Sequence, residues 1–202
     1  SAEARRLRSA ILADNQAKGT ALAALAGINT PEAGAARDKL RTEIRAGLYD
    51  GMKAARAAGA KAVVIIGTGR MFCAGAEMTE FGKPRIPPSL TEVFEQFEAF
   101  PGLTVAAIHG SALGGGLEVA LACHARVALA DANLGLPEVK RGFVPGAGGT
   151  QRLPRLIGPE AALKIIVPGE PVKATEALKL GFIDAVIDGD LEAGAIAFAR
   201  AN

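Results

Sequence analysis

Tryptophan is absent from this chain, tyrosine occurs once, and aromatic residues make up 4% of the total. With so few π faces, a stacking platform for single-stranded nucleic acid is disfavoured. An excess of either charge is missing as well: 23 Lys and Arg stand against 21 Asp and Glu, a net charge of +2. No Lys/Arg-rich block interrupts the mixture, so no nucleic-acid partner is expected. Cysteine is limited to Cys73 and Cys123, which offer neither metal-ligand spacing nor a disulfide framework. They fit a reducing compartment, and both are expected as small core residues. No apolar run approaches the roughly 18–20 residues of a membrane span. The opening Ser-Ala-Glu-Ala-Arg-Arg is not a signal peptide. A soluble cytoplasmic protein, with no membrane and no metal, is the expectation.

The residues that are present read as a globular core. Half of them are hydrophobic, interleaved with Gly/Pro punctuation, and the length suits one domain with a small appendage. Residues 1–36 form an atypical N-terminal segment. Its Ala/Arg/Leu-rich start reads as helix, with Leu7, Ala10 and Ile11 on one face, and Gly19, Gly27, Pro31 and Gly34 interrupt the remainder of the segment. The core is expected over residues 37–202. Leu40, Ile44, Leu48 and Met52 recur every fourth residue with charges off that line, an amphipathic helix over 38–58 closed by Gly59. Ala62–Ile66 suits a buried parallel strand. Ser89-Leu-Thr-Glu92 spells a capping box, and Leu90, Val93, Phe94 and Phe97 give the helix behind it an apolar face. Further on, Arg126–Leu129 reads as a strand and Asn133–Pro137 as extended chain. Helices are expected over Thr150–Ile157, Pro159–Ile166 and Lys173–Leu180, then a strand at Asp184–Ile187 and a helix over Leu191–Ala201. This order of elements argues for an α/β fold with a mainly parallel sheet.

The stretch with most chemical content is 103–118. A short apolar run, Thr104–Ile108, meets a turn at His109–Ser111, and Gly114–Gly116 then opens a helical pattern running to about residue 130. Backbone N–H groups at a helix start are unpaired, and the dipole favours developing negative charge there. Glu118 lies in the first turn, so an oxyanion site with its own acid–base group is plausible chemistry for this stretch. Acidic residues are common in first turns for dipole reasons alone, and Glu138 after Pro137 would by itself be a solvated loop carboxylate. Competing readings are weaker. Gly67-x-Gly69 lacks the third glycine of a dinucleotide fingerprint, since Phe72 stands there. The glycines at 146–149 lack the Gly-Lys-Ser/Thr ending of a phosphate loop. Ser111 does not sit in Gly-x-Ser-x-Gly and reads as a turn serine. His124, among apolar residues in the helical stretch, reads as a satisfied core histidine.

Ala-Leu-Gly-Gly-Gly-Leu-Glu (112–118) resembles the central motif of the crotonase (enoyl-CoA hydratase/isomerase) superfamily. Met-Phe-Cys-Ala-Gly-Ala-Glu (71–77), Gly-Leu-Pro-Glu (135–138) and Pro-Gly-Ala-Gly-Gly-Thr-Gln-Arg-Leu (145–153) match in that family's order. Ala-Thr-Glu-Ala-Leu-Lys-Leu-Gly-Phe-Ile-Asp (174–184) fits the family's next segment. The wording is most similar to the hydratase part of multifunctional fatty-acid β-oxidation enzymes. The resemblance implies a crotonase-like spiral of ββα units with surrounding helices, acting on an acyl-CoA thioester by hydrating trans-2-enoyl-CoA. It implies Glu118 and Glu138, twenty residues apart as in the family's hydratases, as the catalytic pair. The N–H groups of Ala76 and Gly115 become the oxyanion donors, and Ala74, Gly75 and Gly114 become substrate- or CoA-contacting positions. Glu77 is implied to be structural. No bound cofactor is implied beyond the CoA of the substrate, and a trimer-based homo-oligomer is expected. Double-bond isomerisation and a non-catalytic binding or assembly module are the alternatives. Two departures from the family pattern stand out: only Thr20–Leu25 could be a remnant of its opening β-hairpin, and its C-terminal helical tail would begin about where this chain stops.

Overall fold

The apolar run Leu103–Ile108, whose side chains from Val105 onward are fully buried, forms the central strand β2 of a parallel sheet. A strand with water on neither side needs no polar alternate positions. The computed structural model describes residues 31–73, 75 and 86–202, without the side chains of 31–35, 37, 38 and 41. Strand β2 pairs with β1 (Ala62–Ile66) on one side and β4 (Ala125–Leu129) on the other, and β7 (Ala185–Ile187) completes the order β1-β2-β4-β7. The two-residue period divides β2 between two cores. Val105 and Ala107 pack with Ala125, Val127, Leu191 and Ala195 under helix α7 (Leu191–Ala201). Ala106 and Ile108 join the larger cluster, with Phe94, Phe97 and Leu117.

Helix α1 (Pro31–Ala57) carries the expected every-fourth-residue face, with Met52 buried and Leu48 half-covered. It starts earlier than its apolar periodicity, because Pro31 suits a first helical turn and Gly34 is tolerated inside. Arg45 Nε donates to the Pro88 carbonyl (3.1 Å) and Arg56 Nη2 to that of Ala99 (2.9 Å), tying α1 to both ends of helix α2 (Leu90–Glu98). The capping box of α2 is formed on both sides: Glu92 N–H donates to Ser89 Oγ and Ser89 N–H to Glu92 Oε2. The Thr20–Leu25 remnant and the Leu7/Ile11 face lie outside the described residues. No helix among the described residues is long and apolar enough to cross a membrane.

A second sheet, which the sequence patterning does not reveal, has the order β3-β5-β6. Ser111–Leu113, expected in part as a turn, is strand β3. It lies parallel to β5 (Asn133–Gly135), with Leu113 opposite Gly135, and β6 (Val172–Lys173) runs antiparallel to β5. Helix α3 (Gly115–Leu121) ends well short of residue 130. The chain is turned at His124, whose N–H donates to Thr104 Oγ1 (2.9 Å) and whose Nδ1 accepts from Thr104 N–H (3.1 Å). That pair delivers residues 125–129 to the open edge of β2. With Nδ1 accepting, Nε2 carries the hydrogen and faces the Glu98 carbonyl (3.2 Å), so both ring nitrogens are occupied, although the residue is exposed. Cys123 is buried in the core, its thiol pushed up to about 12 by that burial. The later helices α4 (Gly149–Ile157), α5 (Pro159–Ile166) and α6 (Ala174–Leu180) fall where the patterning places them.

Candidate active site

Strand β3 ends at Leu113, and Gly114 reverses the chain into α3 with φ 54° and ψ −128°, a conformation open to glycine. Gly114 N–H donates to the Gly135 carbonyl (2.9 Å), which seats the helix start on the neighbouring strand. The Cys73 backbone is pressed against this turn. Cys73 N–H donates to Ser111 O (3.1 Å), and Cys73 O accepts from Leu113 N–H (3.0 Å). A Cβ on Gly116 would lie 2.1 Å from Cys73 O, so no side chain fits at that position. Gly75 follows on the same wall, its Cβ position 3.0 Å from Gly115 N. The Gly115 N–H, one of the first-turn donors with no partner inside the helix, has no hydrogen-bond acceptor among the described residues. Ala74, Ala76 and Glu77 lie outside those residues. Cys73 is half-buried and packs against the edge of the larger core cluster.

The strand register then explains why two glutamates twenty residues apart share one site. β3 and β5 run side by side in the same direction, so the segments leaving their C-terminal ends emerge together. From Leu113 the chain reaches Glu118 in the first turn of α3. From Gly135 it reaches Glu138 in a single 3-10 turn, Pro137–Arg141. Glu138 Oε1 lies 3.1 Å from the Cβ position of Gly114, directly beside the helix start. Glu138 is therefore a site wall, not a solvated loop residue.

The environments of the two carboxylates differ. Glu118 is 3% exposed, and its Oε1 accepts two backbone hydrogen bonds, from Ala147 N–H (2.7 Å) and Gly149 N–H (2.8 Å). No hydrogen bond to its Oε2 is formed among the described residues. Glu138 is half-buried, and its Oε2 is enclosed without a hydrogen-bond partner among the described residues. Burial pushes its carboxyl above the ordinary range, and the Glu118 charge adds to that rise against a lowering backbone contact. One carboxylate is thus anchored by donors, and the other is held where a proton is welcome.

The glycines at 146–149, part of a recognised motif but given no chemistry from sequence, therefore serve Glu118. Sequence reasoning missed the Ala147 and Gly149 donors. The only signal was a glycine cluster ahead of a helix, which fits anion contact of several kinds. The site as a whole combines a helix N-terminus, its Gly115 N–H unpaired among the described residues, with two inequivalent acid–base groups, an arrangement able to hold an oxyanion while moving protons next to it.

The sequence profile of a family described as enoyl-CoA hydratase/isomerase matches residues 22–200. A probable enoyl-CoA hydratase of Bacillus subtilis (strain 168) is 50% identical over 133 residues, which is 62% of this chain and 52% of that protein. The peroxisomal bifunctional enzyme of Homo sapiens is 44% identical over 178 residues, 88% of this chain and 24% of that one. The crystal structure of an enoyl-CoA hydratase from Bacillus anthracis superposes with a TM-score of 0.71 at 36% identity, covering 79% of this chain and 65% of that one. The chain thus spans about half the length of the first relative and about a quarter of the second. A match reaching from residue 22 to residue 200, across both strands that deliver the glutamates, makes this chain a member of the enoyl-CoA hydratase/isomerase family.

Proposed function

We propose that this chain adds water to the double bond of a trans-2-enoyl-CoA thioester, giving the 3-hydroxyacyl-CoA. The observation that carries this reading is the pairing of Glu118, anchored by two backbone donors, with the half-buried Glu138, whose carboxyl burial raises, beside the start of α3. Attack of water at C3 breaks one water O–H bond, forms the C3–O bond and moves the C=C electrons towards the thioester oxygen. The enolate so formed needs donors where its charge develops. The Gly115 N–H is one, and the Ala76 N–H is proposed as the other. Glu118 takes the proton of the attacking water, while Glu138 gives its own to C2. A proton returned from Glu118 to Glu138 closes the cycle, and the net change is addition of one water.

Ala74, Gly75 and Gly114 are proposed to line the path of the acyl-CoA. Coenzyme A arrives as part of the substrate, and the chemistry assigns no step to a metal or to a resident cofactor. We place the protein in the cytoplasm, treat residues 37–202 as its hydratase core and expect a trimer-based homo-oligomer. The test is the loss of the enoyl-thioester ultraviolet absorbance when the protein is added to crotonyl-CoA. No loss, with acyl-CoA still bound, would favour a non-catalytic binding module. Migration of the double bond in a 3-enoyl-CoA without hydration would make the chain an isomerase.

A further inference from the structure

Glu118 is held by a loop, and that loop is itself held by one side chain, Arg152. The N–H groups of Ala147 and Gly149 point at Glu118 Oε1, while the carbonyl between them, Ala147 O, points away and accepts from Arg152 Nη1 (2.9 Å). Arg152 reaches that carbonyl by folding back across the start of its own helix. Gly148 has φ 102°, which favours glycine, and a Cβ there would fall 2.1 Å from Arg152 Nη1 and displace that side chain from its place over the loop. The other edge of the guanidinium is anchored away from the loop: Nε donates to Glu98 Oε1 (2.7 Å) at the end of α2. Its face lies 5.2 Å from the centre of the Phe94 ring, whose side chain is in the core. A planar, multi-donor group can bridge two acceptors in this way; a lysine ammonium on a flexible stem cannot hold the same fork.

We infer that Arg152 is a positioning residue, one that keeps the Ala147 and Gly149 donors on Glu118 and so aims the Glu118 carboxylate at the reacting water. The inference rests on the proposed hydration reaction for its kinetic consequence, but not for its structural one. Misplacement of a catalytic group by even an ångström lowers rate on the order of a hundredfold. Arg152→Ala is therefore expected to lower kcat for crotonyl-CoA by about 10–100-fold with little change in KM. Arg152→Lys should not restore it. In a Glu118→Gln background the same substitution should cost almost nothing further, because the group it aims is already inert.

Amide hydrogen exchange, read at Ala147 and Gly149, supplies an arm independent of turnover. Arg152→Ala should speed exchange at both while leaving the amides of β2 protected. Full rescue by lysine, or an equal loss in the Glu118→Gln background, would overturn the inference and reduce Arg152 to a general structural brace. Unchanged exchange at both amides would overturn it whatever the kinetics. If the wild-type protein does not hydrate crotonyl-CoA, the proposed reaction falls, and the exchange result alone decides the role of Arg152. Should Arg152→Ala fail to fold, Glu98→Gln, at an exposed position, replaces it. A two- to tenfold fall in kcat with faster exchange supports the inference, and unchanged values overturn it.

Discussion

A single oxygen atom, Glu138 Oε2, concentrates the chemical character of the site, being enclosed and unpaired among the described residues. Replacing Glu118 or Glu138 by Gln keeps shape but removes the ability to accept and return a proton. Each single variant should lose about 10²–10⁴ in hydration rate, and the double variant should be little worse than the poorer single one. Stopped-flow absorbance with crotonyl-CoA measures all three, and near-additive losses would contradict two groups sharing one water. The raised carboxyl of Glu138 also has a stability consequence. The native state keeps this proton to higher pH than the unfolded chain does. By linkage, stability from this group falls as pH rises from the ordinary carboxylate value of 4.5 through the raised one. Glu138→Gln, which cannot ionise, should therefore melt higher than wild type at about pH 7, with the gap closing towards about pH 4. Calorimetry of both proteins across that range would show it. Activity would fall as stability rose, a trade-off found where active sites hold strained groups.

At the scale of elements, helix α3 carries the next prediction. Gly115 is its first helical residue, a position that tolerates proline because its N–H has no helical partner. Gly115→Pro should keep the helix, as circular dichroism would show, yet lose a proposed oxyanion donor. The expected fall in turnover is about 10²–10³, or roughly 3–4 kcal/mol. Gly116→Ala offers a contrast: its methyl would meet Cys73 O and should lower stability as well as rate. How much of this was legible from sequence depended on element length. The helices with repeating apolar faces and the strands of the main sheet were readable, because periods of 3.6 and unbroken apolar runs need several residues to show. Strands β3 and β6 have three and two residues, too few to carry a period. Without them, the sequence could not show why Glu118 and Glu138 meet. The two glutamates came from motif resemblance, whereas their juxtaposition belongs to the register of β3 on β5. Arg152 stands in the 145–153 motif without a role of its own, because its contact with the Ala147 carbonyl leaves no trace in the spacing of residues.

On the scale of the whole molecule, Arg126 ties the segment entering β7 to β4 of the first sheet. This side chain is 4% exposed and donates to the carbonyls of Phe182 (2.9 Å), Cys123 (2.7 Å) and His124 (3.4 Å), while Asp184 Oδ2 lies 3.4 Å from it. Asp184 also accepts from Arg126 N–H (2.7 Å), directing the chain into β7. Arg126→Leu would strand several buried carbonyls and should lower unfolding free energy by about 2–4 kcal/mol, read from the urea midpoint at unchanged slope. For association, Leu163, Val167 and Leu178 are exposed apolar residues, while Ile166 on the same stretch is buried. Light scattering at tens of micromolar should show a trimer or a multiple of it, and a clean monomer would remove that proposal.

The parallel pairing of β3 and β5 has a further consequence, for how the site can vary. Neighbouring strands sit about 4.8 Å apart wherever backbone hydrogen bonds join them. Each glutamate hangs from its strand by a tether of only a few residues, Gly114–Glu118 on one side and Leu136–Glu138 on the other. The gap between the carboxylates is thereby gauged by peptide chemistry common to all sheets, not by the lengths of surface loops. Surface segments far from these tethers are free to lengthen or change without detuning the pair, whereas one residue added to either tether would put the two acids out of step.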